Sequence, residues 1–217
     1  MFLMIDIRIF FEKSDKIKYI SHLDLNRAFQ RALKRAKLPV WHTEGFNPHL
    51  YLVFSNPLSV GYIGEREILD IRLNEDIPLE EVRNKLCSVL PDGIIIKEII
   101  YPKNKIQEIK YSSFSAKFSY DVSPEKILSV LDSDELITEK KSKKGITNVN
   151  IKDLIKKYEI KNEGDEFIID LIVDSSVNSS LNPRLIFGVI NKELGINIDN
   201  IRYTRKEFLD GNFKSFK

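Results

Sequence analysis

The chain has 217 residues, 42 % of them hydrophobic, enough for a sizeable core in one large domain or two small ones. Its 34 Lys and Arg nearly cancel its 32 Asp and Glu, so the formal charge of +2 excludes a uniformly basic or acidic chain and leaves the distribution of charge as the informative quantity. The lone cysteine, Cys87, excludes a disulfide framework and a cysteine-built zinc or iron–sulfur site, and its apolar helical surroundings predict a buried structural thiol.

In chain order, LMIDIRIFF (Leu3 to Phe11) alternates and then closes with apolar residues, the pattern of a strand. Asp6 and Arg8 inside this run, with no basic n-region and no small-residue cleavage site, separate it from a signal peptide. Ser21 is placed to cap a helix whose Asp24 meets the positive end of the dipole, and Leu25, Ala28, Phe29, Ala32 and Ala36 recur at helical spacing until Pro39 stops them. After the loop WHTEGFNPH, the segments LYLVFS and EILDIRL read as strands. Pro78 opens a second helix, LEEVRNKLCSVL, and GIIIKEIIY is a further strand. The order β-α-β-β-α-β is that of the ferredoxin-like split βαβ, a four-stranded antiparallel sheet with two helices on one face.

The polar segment PKNKIQEI (102–109) reads as a connector, after which the theme repeats. YSSFSAKFSYDV is expected as a strand, and SPEKILSVL as a helix with Ser123 as N-cap and Pro124 at its first position. The stretch LITEKKSKKGITNVNIKDLIKKYEIK supplies edge or hairpin strands turning at Lys144-Gly145, followed by the strand EFIIDLIV. NPRLIFGVINKEL is a helix capped by Asn182 and stopped by Gly195, and NIDNIRYTRKEF is the last strand. The expected fold class is α+β, with two tandem ferredoxin-like (split βαβ) modules at 1–101 and 110–217; one continuous α+β domain is the competing arrangement. No run reaches the roughly 18 apolar residues of a membrane span, so a cytoplasmic protein is expected.

Charge is unevenly placed. Residues 13–43 hold eight Lys or Arg against Asp15 and Asp24, whereas residues 44–101 hold five against ten acids. On the first helix Arg27, Arg31, Lys34 and Arg35 recur at three- and four-residue spacing opposite the apolar face, with no acid at the spacing that would relieve them. Such a stripe is either an ordinary solvated face or a surface for phosphate. His22, in the first helical turn, is favoured as neutral imidazole by the dipole and is the one candidate catalytic base; His42 and His49 flank the tight turn Gly45, Phe46, Asn47, Pro48. The histidine spacings match no compact metal motif, so no metal is expected. Trp41 and Phe46 are either core or platforms for a base. Gly61 and Gly64 lack the spacing of a nucleotide cradle, and no serine sits in a nucleophile elbow.

YISHLDLNRAFQRALKRAKLPV followed by GFNPHLYLVFSNPLSVGYIGEREILDI resembles the radical SAM-linked protein family, an uncharacterised bacterial domain, densely over about residues 5–75 and more weakly to NPRLIF and IRYTR. Glu44 stands where that family often has a small polar residue. Members occur alone or as the C-terminal part of a radical SAM protein with a cobalamin-binding-like domain, often encoded near ribosome or RNA-processing functions. The resemblance therefore implies an accessory chain without a cofactor of its own. Arg27, Arg31, Lys34 and Arg35 would hold RNA or a ribosomal particle, and the loop from His42 to His49 would face that RNA or the radical SAM partner. Tandem ferredoxin-like modules also resemble the CRISPR repeat-processing endoribonucleases, which implies His22 as a base toward a 2′-hydroxyl with Arg27 or Lys18 stabilising the phosphorane. A scaffold that binds protein alone is the third option.

Overall fold

The structure, a computed structural model, describes residues 4–119, 122–142 and 145–217. Expectations at Leu3, at the Tyr120-Asp121 end of one strand and at Lys144 lie outside the described residues. The chain is mixed α+β with four α-helices among the described residues, and it divides into two units: residues up to Ile106 together with Phe216–Lys217, and Gln107–Ser215.

The first unit runs β1 (Ile5–Lys13), α1 (His22–Arg35), β2 (Leu52–Phe54), β3 (Ile63–Leu73), α2 (Leu79–Cys87) and β4 (Ile94–Ile100). Its strands pair antiparallel in the order β4-β1-β3-β2. Because side chains alternate along a strand, Ile7, Ile9 and Phe11 of β1 share a face with Leu69, Ile71 and Leu73 of β3. Leu25, Phe29, Ala32 and Leu33 of α1 and Val82 and Leu86 of α2 pack on that face. Each large apolar side chain buried here contributes about 1.5–3 kcal/mol. Phe29 lies edge-on to Phe11 at 4.8 Å and to Phe54 at 5.7 Å, so one ring triangle fixes α1 to both β1 and β2.

The opposite face of β1 and β3 carries charge. Arg8, wholly buried, is paired directly with Asp70 in the strand register and donates from Nε and Nη2 to the two carboxylate oxygens, each at 2.7 Å. Its Nη2 also donates to the Asn104 carbonyl at 2.9 Å, and its guanidinium lies 5.0 Å from the centre of the Phe216 ring. Burial pushes the Asp70 carboxyl above its ordinary value, and the hydrogen bonds and charge of Arg8 pull against that.

The second unit runs β5 (Tyr111–Phe118), α3 (Pro124–Leu131), the separate hairpin β6 (Ile137–Ser142) and β7 (Gly145–Asn150), then β8 (Ile155–Glu163), β9 (Glu166–Asp174), α4 (Pro183–Leu194) and β10 (Arg202–Leu209). Its main strands pair antiparallel as β10-β5-β9-β8, the same fourth-first-third-second order as in the first unit. Asn182 caps α4 by accepting from the Arg184 N–H at 3.0 Å, and Gly195 ends it in the left-handed conformation, φ 63°. Phe187 of α4 meets Phe118 at 5.4 Å and Tyr203 at 5.6 Å, seating the helix on β5 and β10.

Three local expectations are corrected. Cys87 is exposed rather than buried, because Val82 and Leu86 take the inner face of α2 and the next residue is turned away from it. The last strand starts at Arg202, not Asn197: the Asn191 amide accepts from the Ile198 N–H at 3.0 Å and donates to its carbonyl at 3.3 Å, spending both backbone groups on α4. Ser123 stands at the N-cap of α3 without a side-chain cap to the helix backbone; the Glu125 carboxyl is held below its ordinary value first by a hydrogen bond from its own backbone N–H and then by the Ser123 hydroxyl.

Replacing Arg8 with Met strands the Asp70 carboxylate in a part-buried site and is expected to cost about 3–5 kcal/mol in denaturant unfolding. The double variant Arg8→Met/Asp70→Leu recovers most of that loss if the penalty comes from the orphaned charge.

Candidate functional site

The basic stripe is built on α1. Ser21 caps the helix by accepting the Asp24 N–H at 3.1 Å and donates its hydroxyl to Asp24 Oδ2 at 2.7 Å. With Leu25, Phe29, Ala32 and Leu33 turned inward, helical periodicity sends Leu23, Arg27, Arg31 and Lys34 to the solvent side. The stripe is less uniform than its spacing suggests. Arg27 reaches back to Asp24 at 3.3 Å, a relieving acid one turn earlier, although both partners are exposed and such a pair contributes little. Arg35 donates to the Val89 carbonyl at 2.7 Å and so tethers the end of α1 to the segment after α2. Arg31 and Lys34 are left exposed, with no hydrogen bond or ion pair among the described residues.

The loop between α1 and β2 is a short hairpin. The Tyr51 N–H donates to the Trp41 carbonyl at 2.9 Å, and the Thr43 N–H donates to the His49 carbonyl at 2.8 Å. His49 Nδ1 lies 3.0 Å from Thr43 Oγ1 and 3.2 Å from the Asn47 carbonyl, so this imidazole braces the turn. Gly45 takes φ 123°, a conformation side chains other than glycine rarely adopt, and it carries Phe46 out to full exposure at the tip beside Asn47 and Pro48. At the base, Trp41 and Tyr51 meet edge to face at 5.6 Å, with the Arg72 guanidinium 5.4 Å and 4.9 Å from their ring centres. Arg72 is itself held by Asp6 at 2.6 and 3.1 Å. Phe46 is therefore a free aromatic surface and Trp41 a half-buried one.

His22 lies elsewhere, edge-on to Phe54 at 5.2 Å, where burial lowers its pKa and favours the neutral imidazole. It shares a crevice of about 10 Å³ with Lys13, Ser21, Ser55, Asn56 and Glu67. Lys13 is 2 % exposed and donates from Nζ to the Lys18 carbonyl at 2.8 Å, while Lys18 pairs with Asp15. A space of that size suits a water molecule and is narrower than a phosphodiester. Nothing in the local sequence marks Glu67 as buried, whereas the alternation that turns Phe11 inward does the same for Lys13. His42 and His49 share the hairpin, through the His42–Leu50 bridge, and His22 stands apart from them. Among the described residues no group of three His, Cys, Asp or Glu is placed to hold a metal ion, and no helix is long and apolar enough to cross a membrane.

Over residues 6–183 the chain matches the family described as an uncharacterized protein conserved in bacteria, DUF2344. No curated protein matches it. Among solved structures it superposes on a chain of the crystal structure of a Cbf5-Nop10-Gar1 complex with a TM-score of 0.51 at 14 % identity, over 94 % of this chain and 50 % of that one. For a structure of an H/ACA RNP bound to a substrate RNA containing 2′-deoxyuridine the TM-score is 0.49 at 13 % identity, over 94 % and 48 %. The chain thus spans about half the length of these chains, and the likeness to the first is one of fold.

The burial of His22 sets a pH signature. Its folded pKa lies below 6.5, so the unfolded chain binds more protons there, and stability falls as pH drops below about 6.5. Thermal unfolding followed between pH 5 and 7 is expected to show that slope in the wild type and a shallower one in His22→Gln.

Proposed function

The chain belongs to the DUF2344 family of uncharacterized bacterial proteins, and we propose that it is a non-catalytic accessory protein that binds RNA or a ribonucleoprotein in the cytoplasm and presents it to a radical SAM partner. The observation that carries the RNA reading is the outer face of α1, where exposed Arg31 and Lys34 meet no anion from the described chain. Like charges spaced one turn apart disfavour the helix slightly unless a polyanion neutralises them. Phosphates do so with release of counterions. Phe46, exposed at the hairpin tip, adds an aromatic face on which an unpaired base can stack. The support for a radical SAM partner is the sequence resemblance of the SHLD helix and the GFNPH turn. In this reading both units are ferredoxin-like modules, on the strength of their shared strand order.

A second reading has one observation in its favour, the burial that favours neutral imidazole at His22. As a metal-independent endoribonuclease the chain would use that imidazole as the base toward a 2′-hydroxyl. Cleavage of structured RNA by the wild type, lost in His22→Ala, would establish it.

For the accessory reading, RNA affinity is expected to fall steeply between about 50 and 200 mM salt. The double variant Arg31→Glu/Lys34→Glu should keep its melting temperature, bind at least tenfold more weakly and reduce the salt slope by roughly 1.4 for two lost single-strand phosphate contacts. Equal affinity and slope in wild type and variant would remove α1 from the RNA surface.

A further inference from the structure

We infer that the second unit carries a binding groove for one nucleotide bearing an exocyclic amino group, formed between one face of α4 and the loop that precedes β10. The inference deepens the RNA reading above and rests on it for its substrate class. The groove is open to solvent along one side and offers about 380 Å³, room for a small organic ligand. Arg184, Gly188 and Asn191 follow one another at helical spacing along its first wall, over about 10 Å, roughly the length of a nucleoside monophosphate. The second wall is the loop from Ile198 to Ile201, which the Asn191 amide holds through its two hydrogen bonds to Ile198.

Gly188 is the residue that the fold does not require. It stands inside α4, where glycine stabilises a helix less than any residue except proline. Its backbone is not in the left-handed region, and a Cβ added there would meet nothing within 4 Å. Neither conformation nor packing calls for glycine at this position, and the bare helix backbone there leaves room for a ligand to lie directly against it. Arg184, one turn earlier, is exposed, and its guanidinium has no hydrogen bond or ion pair among the described residues. It is suited to a phosphate, which it can grip through two parallel N–H donors. Asp199 follows directly on the loop residue that Asn191 clamps and lines the second wall of the groove. Its Oδ1 accepts a 3.3 Å contact from the Asn200 amide, and a carboxylate there can accept from an amino group such as cytosine N4. Phe187, Ile198 and Tyr203 supply apolar lining beside these polar groups.

The test titrates the whole chain with cytidine 5′-monophosphate, uridine 5′-monophosphate and inorganic phosphate, with binding read by calorimetry and by NMR. Cytidine 5′-monophosphate is expected to bind about tenfold more tightly than the uridine nucleotide, the size of one good hydrogen-bonded discrimination. Asp199→Asn should erase that preference. Gly188→Leu fills the groove with a good helix former, so it should lose nucleotide binding while melting no lower than the wild type; Arg184→Glu should lose it as well. No binding of cytidine 5′-monophosphate at millimolar concentration, unchanged binding in Gly188→Leu, or inorganic phosphate binding as tightly as the nucleotide would each overturn the groove. Arg31→Glu/Lys34→Glu separates the two proposals: nucleotide binding retained in that variant supports the groove whatever becomes of its affinity for long RNA.

Discussion

Burying the guanidinium of Arg8 against Asp70 is the constraint from which the first unit takes its form. An isolated charge in that position costs several kcal/mol, so β1 and β3 are tolerated only in the register that brings these two residues opposite each other. A slip of one residue would move Arg8 to the apolar face beneath α1 and separate it from Asp70. The pair itself adds little net stability beyond what a well-packed apolar pair would contribute, whereas losing one partner leaves the other as an uncompensated buried charge. With the register settled, Ile7, Ile9 and Phe11 present one continuous face, α1 seats on it through Phe29, and the outer side of α1 acquires a fixed orientation.

That orientation separates the polar groups by role. Asp24 and Ser21 serve the start of the helix, Arg35 ties down its end, and Arg31 with Lys34 is left to solvent. The hairpin follows the same division. His49 and Thr43 brace the turn, Arg72 fills the space against Trp41 and Tyr51, and Phe46 stands fully exposed at the tip. Groups that hold the fold and groups available to a partner thus alternate over short distances in sequence.

Much of this was legible from residues close in sequence. The cap at Ser21, the inward row Leu25, Phe29 and Ala32, the cap at Asn182 and the stop at Gly195 are all local signals, and they set the bounds of α1 and α4. What escaped depends on residues far apart. Arg8 and Asp70 are 62 positions distant, and nothing near either one announces the other. Arg35 looked equivalent to Arg31 until the Val89 carbonyl came within reach from another element. Lys13 was legible as a charge but not as a buried one, because the strand continues two residues beyond its apolar run. Gly188 had no meaning in sequence, since a dispensable glycine is recognised only when the space around it is known.

Phe216 belongs to the first unit, yet all of Gln107–Ser215 separates it from the rest of that unit. Its ring lies over Arg8, and its carbonyl accepts from Arg66 Nη1 at 3.1 Å. The first unit is therefore discontinuous along the chain. During synthesis, its strands and helices leave the ribosome long before the residue that covers its buried cation. Until then Arg8 keeps the Asp70 carboxylate but lacks its aromatic cover, and proteolysis at a site within the second unit would sever the covalent link to that cover. The first unit thus receives its last residues only after the whole of the second has been synthesised.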